Sequence, residues 1–167
     1  STTEQQTDTK SGRIVEGPLT ERWTFETNGP VTVSPVVADS TVYFGDSLNL
    51  YAVDTSDGSV QWRFERSPTD SSQVINDGTV YFAANKRNKA TVYAVDAADG
   101  TQQWGFETDG LITTSPAVAN DTIYVGSNDQ NVYALDARSG TEQWRFEADE
   151  KVGAVGVESD TVYVGSN

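Results

Sequence analysis

The sequence contains neither cysteine nor histidine. Disulfides, thiolate nucleophiles, a Ser-His-Asp triad and an ordinary zinc site are therefore excluded, and the redox compartment cannot be read from thiols. Lysine is scarce: Lys10, Lys86, Lys89 and Lys151 are four of the 11 basic residues. No apolar run approaches the roughly 20 residues of a membrane-spanning helix, and no signal-peptide pattern is present.

Carboxylates are abundant. Asp and Glu total 25 against 11 Lys and Arg, a net charge of −14, which repels nucleic acid and anionic lipid and argues against a nucleic-acid partner. An acidic chain with few aromatics would read as disordered, but here Trp, Tyr, Val and Ile recur at regular intervals, which points to a folded core under a carboxylate coat. With so little lysine, that coat points to a salt-adapted source, an archaeon by this reading. Ser1 to Arg13 lacks apolar period and aromatic residues. Residues 1–18 therefore read as a flexible polar leader, a possible tether, and the folded region starts at residue 19.

The folded region repeats. Tryptophans stand at Trp23, Trp62, Trp104 and Trp144, each followed two positions later by Phe25, Phe64, Phe106 or Phe146 and then by Glu26, Glu65, Glu107 or Glu147. A second register, Thr-Val/Ile-Tyr, starts at Thr41, Thr79, Thr122 and Thr161, and a third, Tyr-Ala-Val/Leu-Asp, at Tyr51, Tyr93 and Tyr133. The three march together at roughly forty residues, the signature of one module copied along the chain. Within a module, short segments rich in Val, Ile, Tyr and Thr alternate with turn pairs such as Asp39-Ser40, Asp77-Gly78, Asn120-Asp121 and Ser159-Asp160. These read as strands A to D of one antiparallel sheet. In the third copy, A is Ile112 to Ala119, B Thr122 to Gly126, C Val132 to Asp136 and D Glu142 to Glu147.

Segments such as VYALD (Val132 to Asp136) and TIYVG (Thr122 to Gly126) offer apolar side chains to both faces, so both faces of each sheet must be covered. Sheets stacked radially meet that demand better than a sandwich with one wet face. The expected fold is all-β, a β-propeller of four-stranded blades. About four blades are expected: a D strand near 19–27, blades at about 30–66, 68–108 and 111–148, and a partial blade at 151–167.

The spacing Ala-x-Asp-x-x-x-Gly-x-x-x-Trp occurs at Ala52, Asp54, Gly58 and Trp62, at Ala94, Asp96, Gly100 and Trp104, and at Ala134, Asp136, Gly140 and Trp144. It resembles the tryptophan-docking motif of the pyrroloquinoline-quinone (PQQ)-type propeller repeats, a group that includes assembly-factor lipoproteins. The resemblance implies that each Trp packs between adjacent blades, that Ala leaves room for an indole from the neighbouring sheet, and that Gly and Asp shape the C-to-D turn. Trp23 matches incompletely, because no such motif precedes it. Counting strands gives a lone D, three complete sets and a final A and B, with a C strand missing. Three arrangements fit: a piece of a longer propeller, a half-ring that pairs with another copy, and an unusually small closed ring.

The same resemblance raises quinoprotein dehydrogenase chemistry, which implies a Ca²⁺ or lanthanide site of carboxylate and Asn ligands, an Asp base and basic residues near the quinone. The inner-strand starts instead read Val31-Thr-Val-Ser-Pro35, Asp70-Ser-Ser-Gln73, Leu111-Ile-Thr-Thr-Ser-Pro116 and Val152-Gly-Ala-Val-Gly156, supplying hydroxyls, backbone and apolar groups. No catalytic, metal or cofactor set assembles, so the expectation is no enzyme and no cofactor. The alternative is a segment of a PQQ-dependent oxidoreductase whose active residues lie elsewhere. The repeating Glu after each Trp-x-Phe reads as a solvated outer-strand position, and Ser127-Asn-Asp-Gln-Asn131 as a B-to-C hairpin turn.

Positions that leave the repeat are free to serve a partner. Asn85-Lys-Arg-Asn-Lys-Ala90 reads as a longer B-to-C loop that gathers Lys86, Arg87 and Lys89, a candidate dock for an acidic protein. The D-to-A connections with Asn28, Arg66, Asp109, Asp149 and Lys151 should share one rim. Asn120-Asp-Thr122 fits the N-glycosylation pattern. Together these suggest a noncatalytic scaffold for protein contacts, extracellular or at the cell surface, without membrane insertion and with self-association possible.

Overall fold

In the computed structural model, residues 11–16, 20–66, 68 and 72–166 are described. They form an all-β architecture of 16 strands. The first hairpin is β1 (Ser11–Glu16) and β2 (Thr20–Glu26). Three four-stranded antiparallel sheets follow: β3 (Val36–Ala38), β4 (Thr41–Gly45), β5 (Leu50–Asp54) and β6 (Val60–Phe64); β7 (Val74–Asn76), β8 (Thr79–Lys86), β9 (Lys89–Asp96) and β10 (Gln102–Thr108); β11 (Ala117–Ala119), β12 (Thr122–Gly126), β13 (Asn131–Asp136) and β14 (Glu142–Glu147). A final hairpin joins β15 (Val152–Glu158) to β16 (Thr161–Ser166). Each sheet is a meander in chain order, the layout of a propeller blade.

Local chemistry sets these elements. The A-to-B turns put both central residues at positive φ, Asp39 (45°) and Ser40 (64°), Asp77 (46°) and Gly78 (71°), Asn120 (49°) and Asp121 (56°). That is a type I′ turn, whose twist matches the flanking strands. The C-to-D turns close on Gly58, Gly100 and Gly140 at φ of 74°, 76° and 68°. Each glycine N–H donates to the carbonyl of Asp54, Asp96 or Asp136, at 3.0, 2.9 and 2.8 Å. The same aspartates cap the turn, their carboxylates accepting from the N–H groups of Ser56, Ala98 and Ser139.

Burial follows the two-faced pattern of the sequence. All of β4 is buried, and so are the apolar residues Leu50 to Val53 of β5 and Val132 to Leu135 of β13. The core runs between sheets in three clusters, one centred on Trp23, Val42 and Phe44, one on Trp62, Val80 and Phe82, one on Trp104, Ile123 and Leu135.

Four expectations need correction. Within the leader expected at residues 1–18, Ser11–Glu16 is instead a strand paired with β2; residues 1–10 lie outside the described residues. This same strand supplies the missing C strand: Gly12 pairs with Phe25 and Arg13 with Thr24, as Val132 pairs with Phe146 and Tyr133 with Arg145. The A strands of the three complete sheets are only three residues long, β11 spanning Ala117–Ala119; before the first and third of them Pro35 and Pro116 have no N–H to extend the ladder. The connection at 85–90 is not a longer loop. Strands β8 and β9 run on through it, pairing to Lys86↔Lys89 around Arg87-Asn88, with Arg87 at φ 61°.

Candidate functional site

The blade junctions form first. Trp23, Trp62 and Trp104 each lie on the C-to-D turn of the following sheet, where a Cβ added to Gly58, Gly100 or Gly140 would stand 2.7, 2.8 or 2.6 Å from indole carbon. No side chain fits there. The indole N–H donates to a carbonyl of that turn: Thr55 O at 2.9 Å, Ala97 O at 2.8 Å and Ala137 O at 2.9 Å. Trp23 makes the same contacts as the others although no motif precedes it, since its acceptor lies downstream. Trp144 has the full motif before it and is 41% exposed.

The alanines have a different neighbour from the one expected. In register, Tyr43 stands opposite Ala52 and Ala52 opposite Trp62, and the Tyr43 and Trp62 rings meet with centroids 5.8 Å apart. Ala94 and Ala134 hold the same place between Tyr81 and Trp104 and between Tyr124 and Trp144. A larger residue would force these paired rings of its own sheet away from each other; the indole arriving from the preceding sheet meets the glycine instead.

The B-to-C turns and D-to-A connections lie together on one rim and are tied by buried or half-buried polar side chains. Asp46 accepts from the N–H groups of Leu48 and Asn49, from that of Asn28 across the junction, and from the Tyr51 hydroxyl. Asp129 repeats this with Asn131 N–H, with Gly110 N–H and with Tyr133 O–H at 2.8 Å. Burial alone would raise both carboxyls, but the donated hydrogen bonds outweigh it and hold them below the ordinary carboxylate range. The tyrosines move the other way, pushed up by burial and by the adjacent carboxylate. In the second sheet Asn85 does the work without charge, accepting from Ile112 N–H at 3.0 Å and donating to Ile112 O at 2.9 Å. The Ser127 to Asn131 segment is thus a turn and clamp. Its aspartate would have been found by noticing that Asp46 and Asp129 both stand in the turn that follows a B strand ending in glycine.

The basic hairpin stands on that rim. Lys89 is committed to its own sheet, with Nζ 3.1 Å from Glu107 and 2.9 Å from Asp109; the hydrogen bonds it donates to those carboxylates, Asp109 first, raise its pKa. Lys86 and Arg87 are exposed and lie in no ion pair among the described residues. They line a shallow depression with Asn88 and Lys89. Arg66 lies across a second depression shared with Lys86. Asn120, on an exposed A-to-B turn, donates from its amide nitrogen to Asp160 at 3.1 Å. Glu26, Glu65, Glu107 and Glu147 are all exposed.

A quinone and its cation require converging carboxylates and bases. Among the described residues no three Asp or Glu side chains come close enough to hold a metal ion, and the buried Asp46 and half-buried Asp129 already accept hydrogen bonds from donors of the fold. These residues do not fit the group. Among them, too, no helix is long and apolar enough to cross a membrane.

Four-stranded meanders stacked face to face, with an indole of each set into the turn of the next, define a degenerate-repeat β-propeller. The profile of the family described as outer membrane protein assembly factor BamB matches residues 20–88 and 69–167. The chain belongs to that family. No curated protein sequence matches it. Among solved structures, BamB from Moraxella catarrhalis superposes with a TM-score of 0.72 at 22% identity, over 87% of this chain and 47% of that one. The computationally designed Ika8 protein does so with a TM-score of 0.78 at 16% identity, over 97% of this chain and 54% of that one. The quinohemoprotein alcohol dehydrogenase ADHIIG from Pseudomonas putida HK5 gives 0.60 at 23% identity, over 74% and 21%. The chain therefore spans about half the length of the first two, and at these identities the likeness is one of fold.

Proposed function

We propose that this chain is a noncatalytic propeller scaffold that holds an acidic protein partner on the rim of B-to-C turns and D-to-A connections, outside the cell or at its surface. The supporting observation is the hairpin at Lys86-Arg87. It carries two uncompensated cations at the tip of the longest hairpin of a chain whose net charge is −14, on a rim held rigid by Asp46, Asn85 and Asp129. A rigid rim loses little ordering entropy on association, which suits a binding role. The family description, an assembly factor for outer membrane proteins, suggests a protein rather than a metabolite as the ligand. The carboxylate coat agrees with a salt-adapted setting.

The test is the anisotropy of a labelled oligoglutamate peptide titrated with the chain. Reversing Lys86 and Arg87 to Glu should weaken binding about tenfold, the scale of two exposed charges inverted. Unchanged binding contradicts the rim reading. An absorbance change on adding PQQ and Ca²⁺ would favour the oxidoreductase segment instead, and none is expected.

A further inference from the structure

The C strand of each complete sheet carries a tyrosine held by neighbouring rings. Tyr51 stacks on Phe44 of its own sheet at 5.5 Å and meets Phe25 of the preceding hairpin at 5.2 Å. Tyr93 stacks on Phe82 at 5.5 Å and meets Phe64 of the preceding sheet at 5.5 Å, and Tyr133 meets Phe106 at 5.5 Å. The angles to the preceding phenylalanine are 62°, 64° and 62°, so the three phenol rings stand alike. Their hydroxyls do not. Tyr51 donates to Asp46 at 3.1 Å and Tyr133 to Asp129 at 2.8 Å, whereas the Tyr93 O–H has no partner among the described residues.

The cause lies in the turn. β4 and β12 end at Gly45 and Gly126, and the chain folds back so that Asp46 or Asp129 reaches the tyrosine. β8 and β9 instead run on as a ladder to Lys86↔Lys89, and Ala84, counted from Thr79, takes the place that Asp46 has counted from Thr41. Asn85 takes over a tie to a connection, but its partner is Ile112 and not Tyr93. Gly105 stands opposite Tyr93, where Arg63 and Arg145 stand opposite Tyr51 and Tyr133. Tyr93 is left half-buried, against 5% and 2% exposure of its two counterparts, and it lines the depression of about 400 Å³ that Arg66 and Lys86 share. Glu65 lines it too, with its carboxylate 3.4 Å from Arg63.

We propose that this depression takes a carboxylate side chain of the acidic partner, which accepts from the Tyr93 hydroxyl in the role that Asp46 and Asp129 fill within their own sheets. The inference rests on the rim reading above and adds the group recognised and the residue that recognises it. Arg66 and Lys86 supply the opposite charge. Neither lies in an ion pair among the described residues, and one Nη of Arg66 donates to the Glu65 carbonyl, which leaves its other N–H groups to bind. Hydrogen bonds to an ionised carboxylate are shorter and about twice as strong as neutral ones. The phenol also selects: its O–H direction is set by the Phe64 and Phe82 rings, so it distinguishes a seated carboxylate from a diffuse negative surface, which exposed Lys86 and Arg87 alone do not.

The probe is the labelled oligoglutamate peptide and the variant Tyr93→Phe, which keeps the ring against Phe64 and Phe82 and removes only the O–H. Two readouts are needed. Tyr93→Phe should leave the urea midpoint where it is, because the folded chain loses no hydrogen bond, whereas Tyr133→Phe should lower it by breaking the bond to Asp129. Peptide binding by Tyr93→Phe should weaken about tenfold, the scale of one hydrogen bond to a charged group. If Tyr93→Phe binds as the native chain does while Lys86→Glu/Arg87→Glu loses affinity, the rim reading stands and this inference falls. A native chain that does not bind the peptide overturns both. A lowered urea midpoint in Tyr93→Phe overturns this inference alone, since the hydroxyl would then be held by the fold.

Discussion

Trp104 and Trp144 close the same motif in successive repeats, yet one is 8% exposed and the other 41%. At the far end Trp23 lacks the motif and is 9% exposed. The difference shows that the environment of an outer-strand indole is decided by the turn of the following sheet, not by the sequence leading into it. A repeat of this kind is therefore defined across its boundaries, each unit supplying a ring to the next and a glycine to the one before.

The comparison is broken most directly by truncation. Trp104→Ala removes a buried ring and the hydrogen bond to Ala137, and urea unfolding should show a loss of about 3–5 kcal/mol. Trp144→Ala, measured in dilute solution, should cost under about 1 kcal/mol, the scale of surface changes. Gly140→Ala attacks the Trp104 junction from the other side. Its positive φ disfavours a Cβ by about 1–2 kcal/mol, and the collision with Trp104 adds about 1–3 kcal/mol of overpacking. A smaller loss in Trp104→Ala/Gly140→Ala than the two singles sum to would place the clash on that ring.

The rim clamps sharpen the comparison at lower amplitude. Asp129→Asn forfeits charge-assisted hydrogen bonds from Tyr133 and Gly110, a loss of about 1.5–3 kcal/mol. A carboxyl held below its ordinary value stabilises the fold above the unfolded value of about 4 and loses that contribution as pH falls through the lower folded value. Acid titration of stability should therefore steepen below about pH 4 in the native chain and flatten in Asp46→Asn/Asp129→Asn. The Asn85 clamp carries no charge and should contribute no such slope.

The repeat made most of the architecture legible. Spacings between Trp62, Trp104 and Trp144 place the outer strands, and the turn pairs at Asp77-Gly78 and Asn120-Asp121 place the hairpins, because both depend on local backbone chemistry. β1 escaped notice since Arg13-Ile14-Val15 sits in polar surroundings, without the Tyr-Ala-Val-Asp register of the other C strands, and its strand character depends on pairing with β2. The basic residues at 86–89 were visible, but the lock of Lys89 onto Glu107 and Asp109 was not, since it joins side chains 18 and 20 positions apart. The clamps of Asp46 and Asp129 were hidden for a similar reason: their donors Asn28 and Gly110 lie in the preceding connection.

Hydrogen exchange of the four indole N–H protons tests the account most directly, read by NMR in dilute solution. Trp23, Trp62 and Trp104 should exchange slowly and Trp144 at nearly the free rate, since only the first three are held by a following turn. Four equally protected indoles under those conditions, or a Trp104 as fast as Trp144, would contradict it.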